Sequence, residues 1–166
     1  MMKNIIFLLI VTIMAGFLFW FCNMMTPQPG QSSGNGNLAI LAIPILCILS
    51  FFIVFLLIRI FQTLSMKFIL FPMSMVTIVI YWIAALFYQR GSYINYRNIL
   101  VEENLKDRGF VDWEYIDTIT TFMSIHINNQ FFNFNTYFVF LSFCIFVTLT
   151  IVLIKRLTGS GAQKIL

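Results

Sequence analysis

The residues of this sequence that could do acid–base or metal chemistry fall in one polar interval, residues 89–133. It contains all six acidic residues of the chain and its one histidine, His126. Asp112, Glu114 and Asp117 could join His126 around a zinc ion, but their spacing matches no known ligand pattern. The same acids could serve a membrane enzyme at the interface. We expect no metal, no cofactor and no catalytic residue here, and we predict a solvated acidic surface.

The composition places the rest of the chain in a membrane. Hydrophobic residues make up 60% of it and charged residues 10%, against about 45–50% and about 25% in soluble domains. Four apolar runs are each long enough to cross about 30 Å of hydrocarbon as a helix. They cover residues 5–25, 38–61, 68–88 and 134–154. The sequence therefore predicts an all-α integral membrane protein, a single four-span domain over residues 1–166, with loops at 26–37 and 89–133 and a disordered tail from 157.

Positive charges predict the orientation of these spans. Both termini lie on one side, with six of the ten Lys and Arg residues and no acid. The other side has four, Arg90, Arg97, Lys106 and Arg108, together with every acid. The positive-inside rule then predicts cytoplasmic termini and an extracytoplasmic 89–133 loop in a plasma membrane or bacterial inner membrane. Basic residues stand singly or in pairs at the ends of apolar runs, so we expect no nucleic-acid binding.

The three cysteines are the other candidates for chemistry. Cys22, Cys47 and Cys144 all lie in apolar runs, where a thiol behaves as a small hydrophobic group. Four spans with a short first and a long second outer loop resemble the architecture of the bacterial quinone-linked disulfide-forming enzymes. Those enzymes carry cysteine pairs in the outer loops, whereas this sequence has no C-x-x-C and no cysteine in either loop. The resemblance is one of topology, and it implies no redox chemistry.

The first part of the 89–133 loop is predicted to be a short helix over about residues 99–108. Asn98 would be its N-cap and Gly109 its stop, and Glu102 and Lys106 would form a favourable i,i+4 ion pair. An apolar stripe would let this helix lie flat on the membrane surface. That stripe consists of Ile94, Val101 and Leu105.

The second part of the loop allows two interpretations. Asp112 could cap a helix that begins at Trp113. Residues 119–127 alternate between apolar and polar types, however, and this period favours a strand. A lone strand needs a partner strand, and none is visible in this chain. Helix is the preferred interpretation for residues 113–128, and the strand stays open.

Aromatic residues with flanking charges are typical anchors of protein interfaces. The best such candidate consists of Asp112, Trp113, Glu114, Tyr115 and Asp117. The alternative is that the rings of Trp113 and Tyr115 enter the lipid headgroup region as membrane anchors.

The four spans hold no charged residue except Arg59 at the end of the second, whereas membrane enzymes and pumps usually place such residues inside. We therefore predict a non-catalytic small membrane protein that acts by protein–protein interaction, either an accessory subunit of a membrane complex or an immunity- or exclusion-type protein. The 89–133 loop would be its recognition surface, and its partners would be the lipid bilayer and another membrane or extracytoplasmic protein.

The alternative function is a transport or channel component that forms a path as an oligomer. Kinks at Pro44 and Pro72 would shape that path. Its lining would come from Ser50, Ser74, Thr77 and Thr148. The spans contain no G-x-x-x-G, so the sequence gives no sharp signal for a homodimer and leaves the oligomeric state unknown.

Overall fold

The computed structural model describes residues 1–31, 36–64, 67–122 and 124–162, and the regular structure in these ranges is helical. The helices are α1 (Met2–Met24), α2 (Ala42–Thr63), α3 (Leu70–Arg108), α4 (Trp113–Ile119), α5 (Asn128–Phe131) and α6 (Phe134–Ala162), with 3₁₀ turns at Leu38–Leu41 and Ile125–Ile127. Four of them, α1, α2, α3 and α6, are long and apolar enough to cross a membrane. This confirms the predicted all-α fold with four membrane helices.

The last helix, α6, contacts each of the other three membrane helices, and α1 also packs along α2. Its Cys144 is buried with Ile53 of α2, and its Leu149 is buried with Phe71 of α3. The ring of Phe19 on α1 meets three aromatic rings at the start of α6 and just before it, those of Phe132, Tyr137 and Phe140. Most of the other large apolar side chains of these helices point outward, as lipid-facing side chains do.

At each end of the helix bundle, one hydrogen bond joins neighbouring elements. Asn23 Nδ2 donates to the carbonyl oxygen of Phe132 at 2.6 Å, which joins the ends of α1 and α5. Arg156 Nη2 donates to the carbonyl oxygen of Leu64 at 3.2 Å, which joins the end of α6 to the connection after α2. The first end, where residues 89–133 lie, is called the loop end, and the second the termini end.

Helix α3 is longer than a membrane is thick. Its 39 residues extend about 58 Å, against about 30 Å of hydrocarbon. Residues 99–108 are helical, as predicted, but they continue the third membrane helix without a break. The predicted separate start of this helix is therefore wrong, and Asn98 is not a cap. Gly91 lies inside α3 and does not end it, since one glycine costs a helix only about 1 kcal/mol. Residues 91–108 are called the stalk.

Gly109 ends α3, as predicted. Its φ is +75°, in the left-handed region where glycine has no steric penalty. Its N–H donates to the carbonyl oxygen of Leu105 at 2.8 Å, which satisfies one of the free carbonyl groups at the end of the stalk.

Pro44 and Pro72 both lie in the first turn of a helix. Helix α2 begins at Ala42, after a 3₁₀ turn, and α3 begins at Leu70. An N–H in the first turn has no partner within its helix, so a proline there breaks no hydrogen bond. The predicted kinks rested on a hydrogen bond lost within each span, and no such bond is lost at either proline.

The predicted disordered tail is also corrected. Helix α6 continues past the predicted span end at residue 154 as far as Ala162. Residues 163–166 lie outside the described residues.

Candidate recognition site

A small apolar core joins the stalk to α4 and to the turn at Ile125–Ile127. Its buried members are Tyr96, Leu100, Ile116, Ile119 and Ile127. Ile116 is completely buried at the centre of α4. The hydroxyl of Tyr96 donates to the carbonyl oxygen of His126 at 2.8 Å, and burial raises the pKa of this tyrosine. Residues 91–122 and 124–127, called the head, are thus a folded unit that includes the stalk.

The buried face of the stalk is not the predicted apolar stripe. Ile94 and Leu105 are 48% and 49% exposed. The buried positions instead follow one another at intervals of four, Tyr96, Leu100 and Asn104. Asn104 belongs to this line because its Oδ1 accepts a hydrogen bond from the backbone N–H of Asp112 at 2.8 Å. A search for apolar residues alone does not find this buried face of the stalk, because the face includes a tyrosine and an asparagine.

The predicted ion pair between Glu102 and Lys106 is wrong as well. Lys106 Nζ lies 3.5 Å from Glu103 Oε1, one position further along the helix. Within the described residues Glu102 makes no ion pair, and its side chain is exposed.

Asp112 caps α4, as predicted, and in doing so it is tied to the end of the stalk. Its Oδ1 accepts a hydrogen bond from the N–H of Tyr115 at 3.0 Å. Its Oδ2 lies 3.0 Å from Arg108 Nη1, and the guanidinium carbon of Arg108 lies 4.9 Å from the ring centroid of Tyr115. These contacts hold the turn between α3 and α4 in place.

The structure therefore divides the five predicted recognition residues into two groups. Asp112 and Tyr115 are engaged at the turn, and Asp117 forms an ion pair with Arg97 of the stalk. Trp113 is 56% exposed, and Glu114 beside it is exposed too. Sequence reasoning missed a further exposed aromatic residue, Phe110, which is 60% exposed in the same turn. The exposed residues Phe110, Trp113 and Glu114 are called the tip.

Residues 113–128 contain no strand where the structure describes them, which is all of that segment except residue 123. Helix α4 ends at Ile119, and Thr120 Oγ1 donates back to the carbonyl oxygen of Ile116 at 2.7 Å. A 3₁₀ turn then begins after Ser124, whose Oγ accepts from the N–H of His126 at 3.3 Å. The preferred helical interpretation of residues 113–128 therefore holds for α4 and for the 3₁₀ turn.

Amide side chains fasten the head to the membrane helices. Asn37 and Asn128 exchange two hydrogen bonds, of 2.7 and 3.0 Å. Gln89 Nε2 donates to the carbonyl oxygen of Gln130 at 2.7 Å, and its Oε1 accepts from Asn135 Nδ2 at 3.2 Å. Asn128 and Gln130 are 1% and 8% exposed. Buried polar groups need such partners, so this cluster fixes where the head joins the bundle.

Sequence reasoning missed this amide cluster. The available signal was the density of amides just before the fourth span, at Asn128, Asn129, Gln130, Asn133 and Asn135. Polar residues ahead of a span are usually solvated, and only the fold shows that two of these amides are buried and the other three half-buried.

An apolar cleft of about 640 Å³ lies between α2 and α3 beneath this cluster. Ile43 and Leu46 line one wall, Trp82 and Leu86 the other, and Phe140 of α6 lies behind them. The lining is almost entirely hydrocarbon and aromatic. The cleft can therefore accept an apolar group, and its lining contains no charged residue and no histidine.

His126 lies beneath α4 and is 5% exposed. Burial lowers the pKa of its imidazole, because the charged form loses its hydration. Asp112, Glu114 and Asp117 do not gather around it. In the part of the chain that the structure describes, no three His, Cys, Asp or Glu side chains are placed to hold a metal ion.

Three of the four hydroxyl groups proposed to line a transport path form hydrogen bonds within their own helices. Ser50 Oγ donates to the carbonyl oxygen of Cys47 at 2.7 Å, and Thr77 Oγ1 donates to that of Met73 at 3.0 Å. Thr148 is fully buried and donates to the carbonyl oxygen of Cys144 at 2.8 Å.

Comparison with known proteins adds no relative. The chain matches no protein-family model, no curated protein and no solved structure. The fold and the site define a helical membrane protein with a small folded head.

Proposed function

We propose that this protein is a non-catalytic membrane protein that recognises another protein through the tip of its head. The observation that carries the proposal is the placement of Trp113. Its side chain is 56% exposed, while Ile116 and Ile119 of the same helix are buried in the head core. A large aromatic side chain held outward on a fixed support is the kind of residue that dominates binding energy at interfaces.

The chemistry of the tip indicates the kind of partner. Phe110 and Trp113 offer apolar surface on the two sides of the turn, and Glu114 adds a negative charge. A partner with an apolar pocket bordered by basic residues fits this arrangement. Asp112, Tyr115 and Asp117 then support the tip from within the head.

The length of the stalk favours protein recognition over membrane anchoring. Its 18 residues, 91–108, extend about 27 Å, and α4 follows at their far end. An interfacial anchor is buried only about 5–10 Å into the boundary between headgroups and acyl chains. A tip at the far end of the stalk is better suited to a protein outside the bilayer.

The charge distribution supports an extracytoplasmic head in a plasma or bacterial inner membrane. Lys3, Arg59, Lys67, Lys155 and Arg156 belong to the termini end, and this excess of positive charge favours the cytoplasmic side.

Site-specific photocrosslinking in native membranes tests the proposal. A photoreactive amino acid at position 113 should capture one protein, which mass spectrometry identifies. The same group at position 118 is the matched control, because Thr118 is exposed on another face of α4. Capture in undisturbed cells would indicate an accessory subunit, whereas capture only after exposure to a foreign membrane-active protein would indicate an immunity or exclusion role.

The affinity of the captured partner gives the quantitative prediction. Trp113→Ala should weaken binding about 30-fold, the effect of removing an interface anchor, and Thr118→Ala should leave it unchanged. Equal capture from positions 113 and 118, or binding that is unaffected by Trp113→Ala, would refute recognition through the tip.

A further inference from the structure

One side of α3 packs inside the molecule and the opposite side does not. On the packed side, Phe71 and Ala85 are buried, and Trp82 Nε1 donates to Ser142 Oγ of α6 at 2.8 Å. On the other side Ile80 and Phe87 are 62% and 72% exposed. This bare side continues from the membrane part of the helix into the stalk.

The bare side carries a heptad pattern along almost the whole helix. Its positions follow at alternating intervals of four and three residues, which is the spacing of a left-handed coiled-coil seam. The seam consists of Met73, Thr77, Ile80, Ala84, Phe87, Gly91, Ile94, Asn98, Val101 and Leu105. Val101 is partly buried by the head, and the other seam residues are exposed.

Residue size alternates along the first part of the seam, which runs through the membrane part of α3 to the first residue of the stalk. The a positions are small, Thr77, Ala84 and Gly91, and the d positions between them are large. Small residues let two membrane helices approach closely. A Cβ added at Gly91 would meet no atom within 4 Å, so packing within one chain gives no reason for a glycine there.

The stalk half of the seam is self-complementary. Asn98 occupies an a position, where a single asparagine specifies register and the number of strands. Arg97, which also forms an ion pair with Asp117 of its own chain, is at the preceding g position, and Glu102 is at the following e position. In a parallel pair a g residue faces the e residue five positions on in the other helix, so Arg97 would face Glu102 of the second copy. Glu102 has no ion pair among the described residues of its own chain.

We propose that this seam binds a second copy of the same chain, so that two α3 helices form a parallel, two-fold symmetric pair. Copies inserted into one membrane with the same orientation are parallel to each other, as the Arg97–Glu102 arrangement requires. A two-fold axis along the membrane normal places each Asn98 opposite its counterpart. The dimer sets two heads side by side and presents two tips to a partner.

Disulfide trapping in membranes tests the register. Ile94→Cys lies on the seam and leaves Asn98 intact, and Ile99→Cys is the matched control on another face of the stalk. Both variants are made in the full chain together with Cys47→Ala. Cys47 is exposed and could form a disulfide of its own, whereas Cys22 and Cys144 are buried. A disulfide needs Cα atoms about 4.4–6.8 Å apart, so Ile94→Cys should form covalent dimers at least tenfold faster.

Fluorescence energy transfer between labelled copies of the chain in lipid vesicles measures dimerisation without forming a disulfide. Gly91→Leu should weaken dimerisation at least tenfold because it separates the helices, and Glu102→Arg should weaken it about tenfold because it faces Arg97. Lys106→Leu and Asp107→Arg, both at exposed positions off the seam, should leave dimerisation unchanged.

Absence of energy transfer in the unmodified chain would overturn the dimer, as would equal trapping at positions 94 and 99. Trapping of a different protein through position 94 would overturn the choice of a second copy. None of these outcomes affects recognition through the tip, which is measured separately.

Discussion

The head and the membrane helices of this protein are stabilised in different ways. In the head, Ile116 and Ile127 are removed almost completely from solvent in a small apolar core. In the membrane helices most large apolar side chains stay on the outside, where lipid is as favourable a neighbour as protein. Burial of apolar surface therefore stabilises the head, whereas close contacts and a few hydrogen bonds hold the helices to each other.

The amide cluster lies at the junction between the head and the membrane helices. Asn128 and Gln130 are as buried as core residues, yet they are polar and bonded to the ends of the membrane helices. Buried amides add little net stability when paired and cost much when unpaired. This cluster fixes the position of the head more than it strengthens the bundle.

The largest effect is expected from the centre of the head core. Ile116→Ala should lower the free energy of opening the head by about 3 kcal/mol, because it leaves a cavity in a core that cannot collapse around it. Hydrogen exchange of the amides of α4 measures this opening. Ile99→Ala, at an exposed stalk position, is the control and should change exchange by less than about 0.5 kcal/mol. Equal effects of the two variants would mean that the head has no packed core.

A smaller effect is expected at the junction. Asn128→Ala removes the two hydrogen bonds between the amides of Asn128 and Asn37, and Asn128 is 1% exposed, so the substitution should cost about 2 kcal/mol. The loss should appear as faster exchange in α5 and the Ile125–Ile127 turn, with the membrane helices unchanged. Asn95→Ala removes an exposed amide of the stalk as the control. A loss spread evenly over the four membrane helices would contradict a local role for the cluster.

The membrane helices could be predicted from the sequence, because about 20 consecutive apolar residues have few other stable environments. The end of α3 at Gly109 and the cap at Asp112 could be predicted too, since each residue type satisfies backbone groups locally. The continuity of the stalk could not be predicted in the same way. Asn98 has the side chain of a helix cap, and only the path of the chain shows that it lies inside a helix.

The exposure of the candidate residues could be predicted only in part. Trp113 and Glu114 are exposed as a recognition surface requires, but Asp112, Tyr115 and Asp117 have partners that depend on the position of the stalk. The amide cluster and the seam were missed for a common reason. Each is formed by residues of mixed polarity, and a search by apolar periodicity or for one short motif does not detect them.

The smallest effect is expected within the bundle, where Tyr137 of α6 contacts α1. Its hydroxyl donates to the carbonyl oxygen of Thr12 at 2.9 Å, and its ring lies over Gly16, where an added Cβ would be 3.3 Å from the ring. Tyr137→Phe keeps the ring and removes only this hydrogen bond. Such bonds between membrane helices average about 0.6 kcal/mol, because the separated helices also find partners.

The free energy of unfolding in mixed micelles measures the effect of Tyr137→Phe, with Tyr88→Phe at a 66% exposed position as the control. A loss near 0.6 kcal/mol, well below that from Asn128→Ala, would support the contrast between head and bundle. A loss above about 2 kcal/mol would mean that the bundle depends on its polar contacts as strongly as the junction does. In that case Gly16, which makes room for the tyrosine, would be a main determinant of how α1 packs on α6.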